Sequence, residues 1–506
     1  MSAYLQLFSA YTSSVILLLI IAILSAKYQG RRHAILWAFV VMAVVFFLTG
    51  YTRVLLVPFN ADESRREFLL TGDEPAYLMT AVSIARDGDL NLANNVASKD
   101  YQLFQHRSYV GSGFQFYNSL SHNRLINQKE QWGDARFMRH RPGTSVLLAP
   151  VFFLADHNQR FWSYTIISFC FALFCGFSVY YLSQAVTIPL ASVLVLCLLC
   201  GLSPPVYFYV NQAYPEIPSG ILLALISMLF LKPGRTNLIP FALAAIVIWF
   251  SDRIILATLI ICAGGFFNLP TKKQKVAAVF ILGSSGLLFA WYCWHRFGVP
   301  YPIQHNTTMG FSWGKIPERL LQILFDARQG WVWHFPAILL LPAMLWKILR
   351  SRAVTLNHIC LVSALSVLLV LVAAFDDWGA GTCPRGRYFV IPQLLFFVLA
   401  GIWLQEDKGR KGKMFWLVGL GSLSLAQLFW LAPHPKWWFA GFQPLFSWQE
   451  IHSLIFYLPF LPDNAEPTEW IKFLKMTPLL ALPSLSCIFM EHRQQRADSA
   501  HGLAED

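Results

Sequence analysis

Charge is what this 506-residue chain has least of: only 13% of its residues are Asp, Glu, Lys or Arg, about half of the ~25% usual in a soluble domain. With 56% of the residues hydrophobic, too few ionic groups remain to cover a water-facing surface, and a soluble globular protein is excluded. A Walker A loop and a dinucleotide-binding glycine fingerprint are both missing, so nothing in the sequence points to chemistry driven by a bound nucleotide. No internal repeat, heptad array or low-complexity linker is present, which argues against a solenoid, a coiled coil or tethered domains. Of nine cysteines, all but Cys383 fall in or beside apolar blocks, where a thiol acts as a small hydrophobe. No disulfide framework is therefore expected. The first apolar block has neither a basic segment before it nor a small-residue cleavage site after it, so no cleavable signal is expected.

What is present is apolar sequence in long blocks. Residues 14–26, 34–50, 276–289 and 361–374 carry no charge at all, and a spanning helix needs roughly 17–25 apolar residues. The pattern predicts an all-α polytopic membrane protein with about 13 transmembrane helices, near 12–26, 35–50, 161–182, 188–202, 217–231, 237–250, 254–268, 275–293, 331–348, 357–375, 389–404, 413–431 and 476–490. Residues 1–490 read as a single membrane domain and 491–506 as a short polar cytoplasmic tail. If the first span runs inward, alternate connections and their flanks contain Lys27, Arg31 and Arg32; Lys232 and Arg235; Lys272, Lys273 and Lys275. The series continues with Lys347, Arg350 and Arg352; Lys408, Arg410, Lys411 and Lys413; and Arg493 and Arg496. Basic inner connections are what the positive-inside rule demands. Much of the net charge of +12 is thus a topology signal, and no nucleic-acid partner is implied. The same parity puts residues 51–160, 203–216, 294–330, 376–388 and 432–475 on the outer face.

The first outer loop is the most informative segment. It contains Thr71-Gly72-Asp73-Glu74-Pro75-Ala76-Tyr77, after which Leu78, Met79, Val82 and Ala85 recur at helical spacing. This predicts an amphipathic helix lying along the outer membrane surface. Thr71 and Glu74 form a capping-box pattern, and Asp73 suits a helix N-terminus; capping and a catalytic duty are compatible. Asp87-Gly88-Asp89-Leu90-Asn91 imitates a calcium loop, but Leu92 stands where glycine is required and Ser98 where a bidentate Glu belongs. A polar turn is the better reading of that stretch.

Asp73-Glu74-Pro75-x-Tyr77, followed by a helix and the Asp-Gly-Asp-Leu turn, resembles the first outer loop of the GT-C glycosyltransferases. These polytopic enzymes use polyprenyl-phosphate sugars; protein O-mannosyltransferases and lipid A aminoarabinose transferases are examples. Three later segments extend the resemblance in order: Arg139-His140-Arg141-Pro142-Gly143 leading into Leu147-Leu148-Ala149-Pro150; Tyr214-Pro215-Glu216-Ile217-Pro218; and Trp378-Gly379-Ala380-Gly381 with Pro384-Arg385-Gly386-Arg387-Tyr388. The resemblance implies an inverting transfer of a sugar from a polyprenyl-phosphate donor to an acceptor hydroxyl of a lipid, glycan or protein. It implies Asp73 as general base, with Glu74 orienting it or holding the acceptor. Arg139, Arg385 and Arg387 would pair with the donor phosphate, a task suited to the forked guanidinium. Tyr77, His140, Glu216 and Trp378 would contact the acceptor or support the site. No cofactor is assigned; a divalent metal is possible but unassigned. The expected location is a bacterial inner membrane with the site facing the periplasm.

Other readings of these residues stay open from sequence. Arg385 could snorkel to headgroups, Glu216 could end a turn between two prolines, and Asp252-Arg253 could be a tight hairpin. Asp252-Arg253 and His295-Arg296 also interrupt apolar stretches at the outer side, where ionisable groups are functional candidates, and Asp376-Asp377 could bind a metal or an acceptor sugar. The competing function is a transporter or flippase of lipid-linked glycans, which would place ionisable groups at mid-bilayer on several helices. The orientation has a direct test. A reporter enzyme fused after Arg350 should behave as cytoplasmic, and one inserted near Lys99 as exported; the same side for both would refute the helix parity.

Overall fold

The computed structural model describes residues 31–51, 74–100, 140–155, 157–185, 188–231, 238–297, 312–326, 330–351, 354–375, 386–405, 410–431, 477–478 and 480–490. Among them the chain is almost entirely helical and has no strand. We label the helices in chain order: α1 Arg31–Tyr51, α2 Glu74–Arg86, α3 Ala93–Ala97, α4 Gly143–Leu154, α5 Gln159–Ala185 and α6 Leu190–Leu202. There follow α7 Val206–Val210, α8 Glu216–Leu231, α9 Ile239–Val247, α10 Ile255–Phe267, α11 Lys272–Phe297 and α12 Ile316–Phe325. The last are α13 Trp331–His334, α14 Leu341–Arg350, α15 Leu356–Ala374, α16 Val390–Leu404, α17 Arg410–Leu431 and α18 Leu480–Met490.

Five stretches are long and apolar enough to cross a bilayer: Arg32–Gly50, Gln159–Gln184, Lys272–Arg296, Leu356–Ala374 and Arg387–Leu404. This is an α-helical membrane protein. The apolar helices at Leu190–Leu202, Glu216–Leu231, Ile255–Phe267 and Leu480–Met490 are shorter, and the span expected at 12–26 lies outside the described residues. Burial sorts the long helices by depth. Every residue of the Arg387–Leu404 stretch except Ile402 is buried, which makes α16 the central element. On α11, by contrast, Phe280, Leu287, Trp291 and Trp294 are each more than 60% exposed. A continuous apolar stripe of that size is untenable in water and natural against lipid tails.

Close helix contacts are made over small residues, as is general between membrane helices. Gly220 of α8 faces Leu394 and Ile391 of α16, and Gly264 of α10 faces Asn357 and Cys360 of α15. α1 packs along α5 through edge-on ring pairs, Phe39–Phe169 at 5.5 Å and Phe46–Phe171 at 5.6 Å.

Two expectations need correction. Residues 331–348, read as one span, are instead α13, a 3₁₀ turn Pro336–Leu340 and α14. Pro336 has no N–H to give and holds Phe335 in an extended conformation (φ −140°, ψ 73°), so a helix cannot run through it. α2 forms where expected, but it does not lie on a surface: its residues 76–83 are all buried, Thr80 and Ser83 included. It packs against α4, whose Ser145 hydroxyl donates to the Tyr77 carbonyl at 2.9 Å. The Asp87–Asn91 stretch is a polar turn held by its own groups. Asp89 Oδ1 accepts from the Ser83 hydroxyl and the Asn91 N–H, both at 2.9 Å.

Segments that charge parity assigns to one face meet at one end of the bundle. Gly143 N–H donates to the Trp249 carbonyl at 2.7 Å, and Ser312 N–H to the Ala374 carbonyl at 2.8 Å. At the opposite end, Asn357 Nδ2 donates to the Phe230 carbonyl at 2.6 Å, and Asn268 Nδ2 to Asn357 Oδ1 at 3.1 Å.

The Gly143 contact yields a stability test. A Cβ there would stand 2.6 Å from the Trp249 carbonyl oxygen and 2.9 Å from the Phe250 ring. Gly143→Ala should therefore cost about 1–3 kcal/mol, the usual penalty of overpacking. Gly283→Ala, where the added carbon meets nothing within 4 Å, should be neutral or slightly stabilising. Thermal unfolding of the two purified variants in one detergent provides the comparison.

Candidate functional site

The site is assembled from five chain segments, each at the end of a helix. α2 contributes Glu74 from its first turn, completely buried. Its Oε1 accepts the Ala213 N–H at 3.0 Å, a bond between residues 139 positions apart in sequence. A carboxylate sealed from solvent and engaged with backbone positions the start of α2; it does not present itself to an incoming molecule. Tyr77, one turn further on, sits between rings: His140 at 5.2 Å and Tyr214 at 6.2 Å.

The second partner of this cluster is the turn that launches α16. Gly386 takes a left-handed backbone (φ +76°), and a Cβ there would strike the Pro205 ring at 2.9 Å. Glycine is needed on both counts. The turn delivers Arg387 into the protein, 6% exposed, where its Nε donates to Glu216 Oε1 at 2.6 Å. The guanidinium lies over the Tyr214 ring at 4.4 Å. His140, Tyr77, Tyr214, Arg387 and Glu216 thus form one continuous contact chain.

The third contribution is the turn between α9 and α10. Asp252-Arg253 is indeed a tight turn, and it also carries contacts. Asp252 Oδ2 lies 3.5 Å from Arg141 Nη2, while the Arg141 guanidinium covers the Phe289 ring at 4.4 Å. Arg253 lies over the Tyr388 ring at 4.3 Å. Arg253 is exposed to solvent, yet the surrounding protein strips it of water enough to work against its charge. Tyr388, Glu216 and Asp252 outweigh that and the repulsion of Arg387, so its pKa is raised.

Among the described residues, both ends of the Gln212 amide and Glu216 Oε2 are buried without a hydrogen-bond partner. A buried polar atom left so costs ~1–3 kcal/mol, which a water or another polar group reaching them would relieve. Among the described residues no group of three His, Cys, Asp or Glu side chains is arranged to hold a metal ion.

Of the residues singled out in the sequence, Glu74, Tyr77, His140, Glu216 and Arg387 converge. Asp73, Arg139, Arg385 and Trp378 lie outside the described residues. Arg141 and Gln212 were not singled out in the sequence, whereas Arg253 stood there as a candidate beside the hairpin reading. Sequence reasoning also passed over Arg319 on α12, which is 2% exposed and donates to the Ala373 carbonyl at 3.5 Å. The clue for Arg319 was its register: it falls on the apolar stripe of Ile316, Leu320 and Ile323, where an arginine has to be buried.

No protein-family model matches this chain, and no curated protein or solved structure matches it either.

The buried Arg387–Glu216 pair makes a measurable claim. Removing one member of such a pair leaves an uncompensated charge, at a cost of about 3–5 kcal/mol. Glu216→Ala should reach that range, and the Glu216→Ala/Arg387→Ala double variant should lose clearly less than the sum of the singles. A double-mutant cycle on thermal unfolding measures the difference; additive losses would mean that the two side chains do not act as a pair.

Proposed function

We propose that this protein is a membrane glycosyltransferase that moves a sugar from a polyprenyl-phosphate donor to an acceptor hydroxyl on the outer, periplasmic face, with inversion. The observation that carries the reading is the convergence of Glu74, His140, Glu216 and Arg387, four residues singled out from the resemblance and dispersed over more than 300 positions, on one polar cluster at one end of the bundle. Asp73 stands one residue ahead of Glu74 in the sequence. Glu74 anchors the start of α2 to Ala213, which is the orienting role among the two the resemblance allows.

In this reading the Asp73 carboxylate takes the proton of the acceptor hydroxyl as the acceptor oxygen bonds to the anomeric carbon. The bond from that carbon to the phosphate oxygen breaks, and the electron pair leaves with the polyprenyl phosphate. Arg387 stabilises the departing phosphate with Arg139 and Arg385, and Arg253, exposed over the ring of the adjacent Tyr388, joins this cation set. Preorganised cations around developing charge commonly contribute more to such catalysis than any other single effect. Tyr77, His140 and Trp378 contact the acceptor or support the site. A divalent metal is possible but unassigned.

A flippase or transporter would hold ionisable groups midway along several spans. Glu74, Arg141, Glu216, Asp252, Arg253 and Arg387 all stand at helix ends, which favours the enzyme.

The test rests on what Asp73→Asn keeps. Asn caps a helix as well as Asp, so only the charge and the proton-accepting capacity vanish. A pure cap would lose about 0.3–1 kcal/mol of dipole interaction and remain active; a general base would lose roughly 10²-fold or more in turnover. Transfer from a labelled polyprenyl-phosphate sugar in nanodiscs, with melting temperature as the folding control, separates the two. Near-normal transfer by a folded Asp73→Asn protein eliminates Asp73 as the base.

A further inference from the structure

At the opposite end of the bundle, away from the proposed transfer site, the last turn of α14, the start of α15 and the end of α16 enclose a cavity of ≈ 180 Å³. That is about ten times the ~10–15 Å³ required to hold one water. Lys347, Ser351, His358, Trp403 and Gln405 supply its polar lining, with Ile348, Val354 and Ile402 as the apolar part; none of these described lining residues is acidic.

The donors around it are set by the local structure. Thr355 caps α15, and the Thr355 N–H donates to His358 Nδ1 at 3.1 Å. With Nδ1 occupied as an acceptor, the imidazole proton resides on Nε2, which leaves His358 a donor on its far edge. Trp403 is 2% exposed, and its indole N–H has no hydrogen-bond partner. Indole nitrogen only donates, so this orphan calls for an acceptor. Lys347 brings positive charge, and Lys413, buried behind Trp403, donates to the Trp403 carbonyl at 3.1 Å and lies 5.2 Å from its ring. The neighbouring Arg410 is spent on α16 itself, donating to the Leu404 and Gln405 carbonyls, both at 3.1 Å.

We propose that this cavity binds a phosphate group, presented by an anionic lipid headgroup or as the free anion. Donors on three sides, a net positive lining and an unpartnered indole N–H all ask for an anionic acceptor. The connections beside it, 349–356 and 405–412, are among those that charge parity assigns to the cytoplasm. There the leaflet carries anionic lipids, and basic pockets between helices recognise phosphate headgroups. The inference does not depend on the transferase reading.

The experiment uses the full chain in detergent and measures binding by native mass spectrometry, with ligand-induced thermal stabilisation as a second readout. The probes are dioctanoyl phosphatidic acid, dioctanoyl phosphatidylcholine and inorganic phosphate. Three variants remove donors singly: Lys347→Gln, Trp403→Phe, and His358→Gln. The last retains the capping geometry, since Gln at this position also reaches the cap N–H. The expected result is saturable binding of phosphatidic acid, at least tenfold stronger than phosphatidylcholine, weakened tenfold or more by Lys347→Gln and severalfold by Trp403→Phe or His358→Gln. Inorganic phosphate bound with the same dependence on the variants would assign the site to the free anion; phosphatidic acid alone would assign it to lipid. Both results support a phosphate site. The proposal is overturned if neither phosphate probe binds, if phosphatidylcholine binds equally well, or if variants with wild-type melting temperatures bind undiminished.

Discussion

The buried ion pair between Arg387 and Glu216 is the interaction on which the organisation of the candidate-site end of the bundle depends. Two charges removed from water cost several kcal/mol each, and their attraction compensates only when the geometry is good. Here it is good: a 2.6 Å charge-assisted hydrogen bond roofed by the Tyr214 ring. The pair joins the first turn of α8 to the turn that opens α16, the most enclosed helix of the bundle. Once those two helix ends are fixed, the positions of the other segments follow. Tyr214 brings Tyr77, Tyr77 brings His140, and the backbone of Ala213 receives Glu74. Gly386 is the small steric condition that makes the pair reachable, because only its left-handed turn against Pro205 points Arg387 inward.

The bilayer explains the rest of the architecture by what it forbids. Lipid tails offer no hydrogen bonds, so irregular backbone survives at depth only where protein surrounds it. The break at Phe335–Pro336 obeys that rule, since Trp331 stacks on Phe389 at 5.6 Å and Phe335 meets the Phe396 ring at 5.1 Å. The interrupted segment is buried against α16 and not offered to lipid. The uninterrupted α11 does the reverse, with aromatic and aliphatic side chains turned outward along much of its length.

Helix positions were legible because a long apolar block has few alternatives: 357–375 was expected and Leu356–Ala374 is found. Boundaries and breaks were less legible. The hydropathy of 331–348 is high enough for a span, and two prolines override it through backbone sterics that hydropathy does not register. Burial of α2 was invisible for another reason. Thr80 and Ser83 look like a polar face, yet the Thr80 hydroxyl bonds back to the Ala76 carbonyl at 2.9 Å and Ser83 to Asp89. Each is satisfied locally and can be enclosed. At the site, residue types were legible and partnerships were not. Nothing in one sequence couples Arg387 to Glu216 across 171 positions, or shows that Arg141 serves Asp252.

The two ends of the molecule handle positive charge differently, and the difference bears on function. At the candidate-site end, buried arginines are matched with carboxylates: Arg387 with Glu216, Arg141 with Asp252. Such pairs are close to neutral as units, yet their members keep full charge. An incoming phosphate can compete for the guanidinium while the released carboxylate turns to another donor, so charge can be rearranged without importing a counter-ion. At the other end, Arg350 lies 3.7 Å over Trp346, Lys413 sits against Trp403, and Arg410 caps the carbonyls that end α16. Carbonyls and rings meet a cation with partial charges, whereas a carboxylate meets it with a full one. In the proposed reading, the carboxylate-rich end is therefore the one suited to an exchange of ionic partners during a reaction.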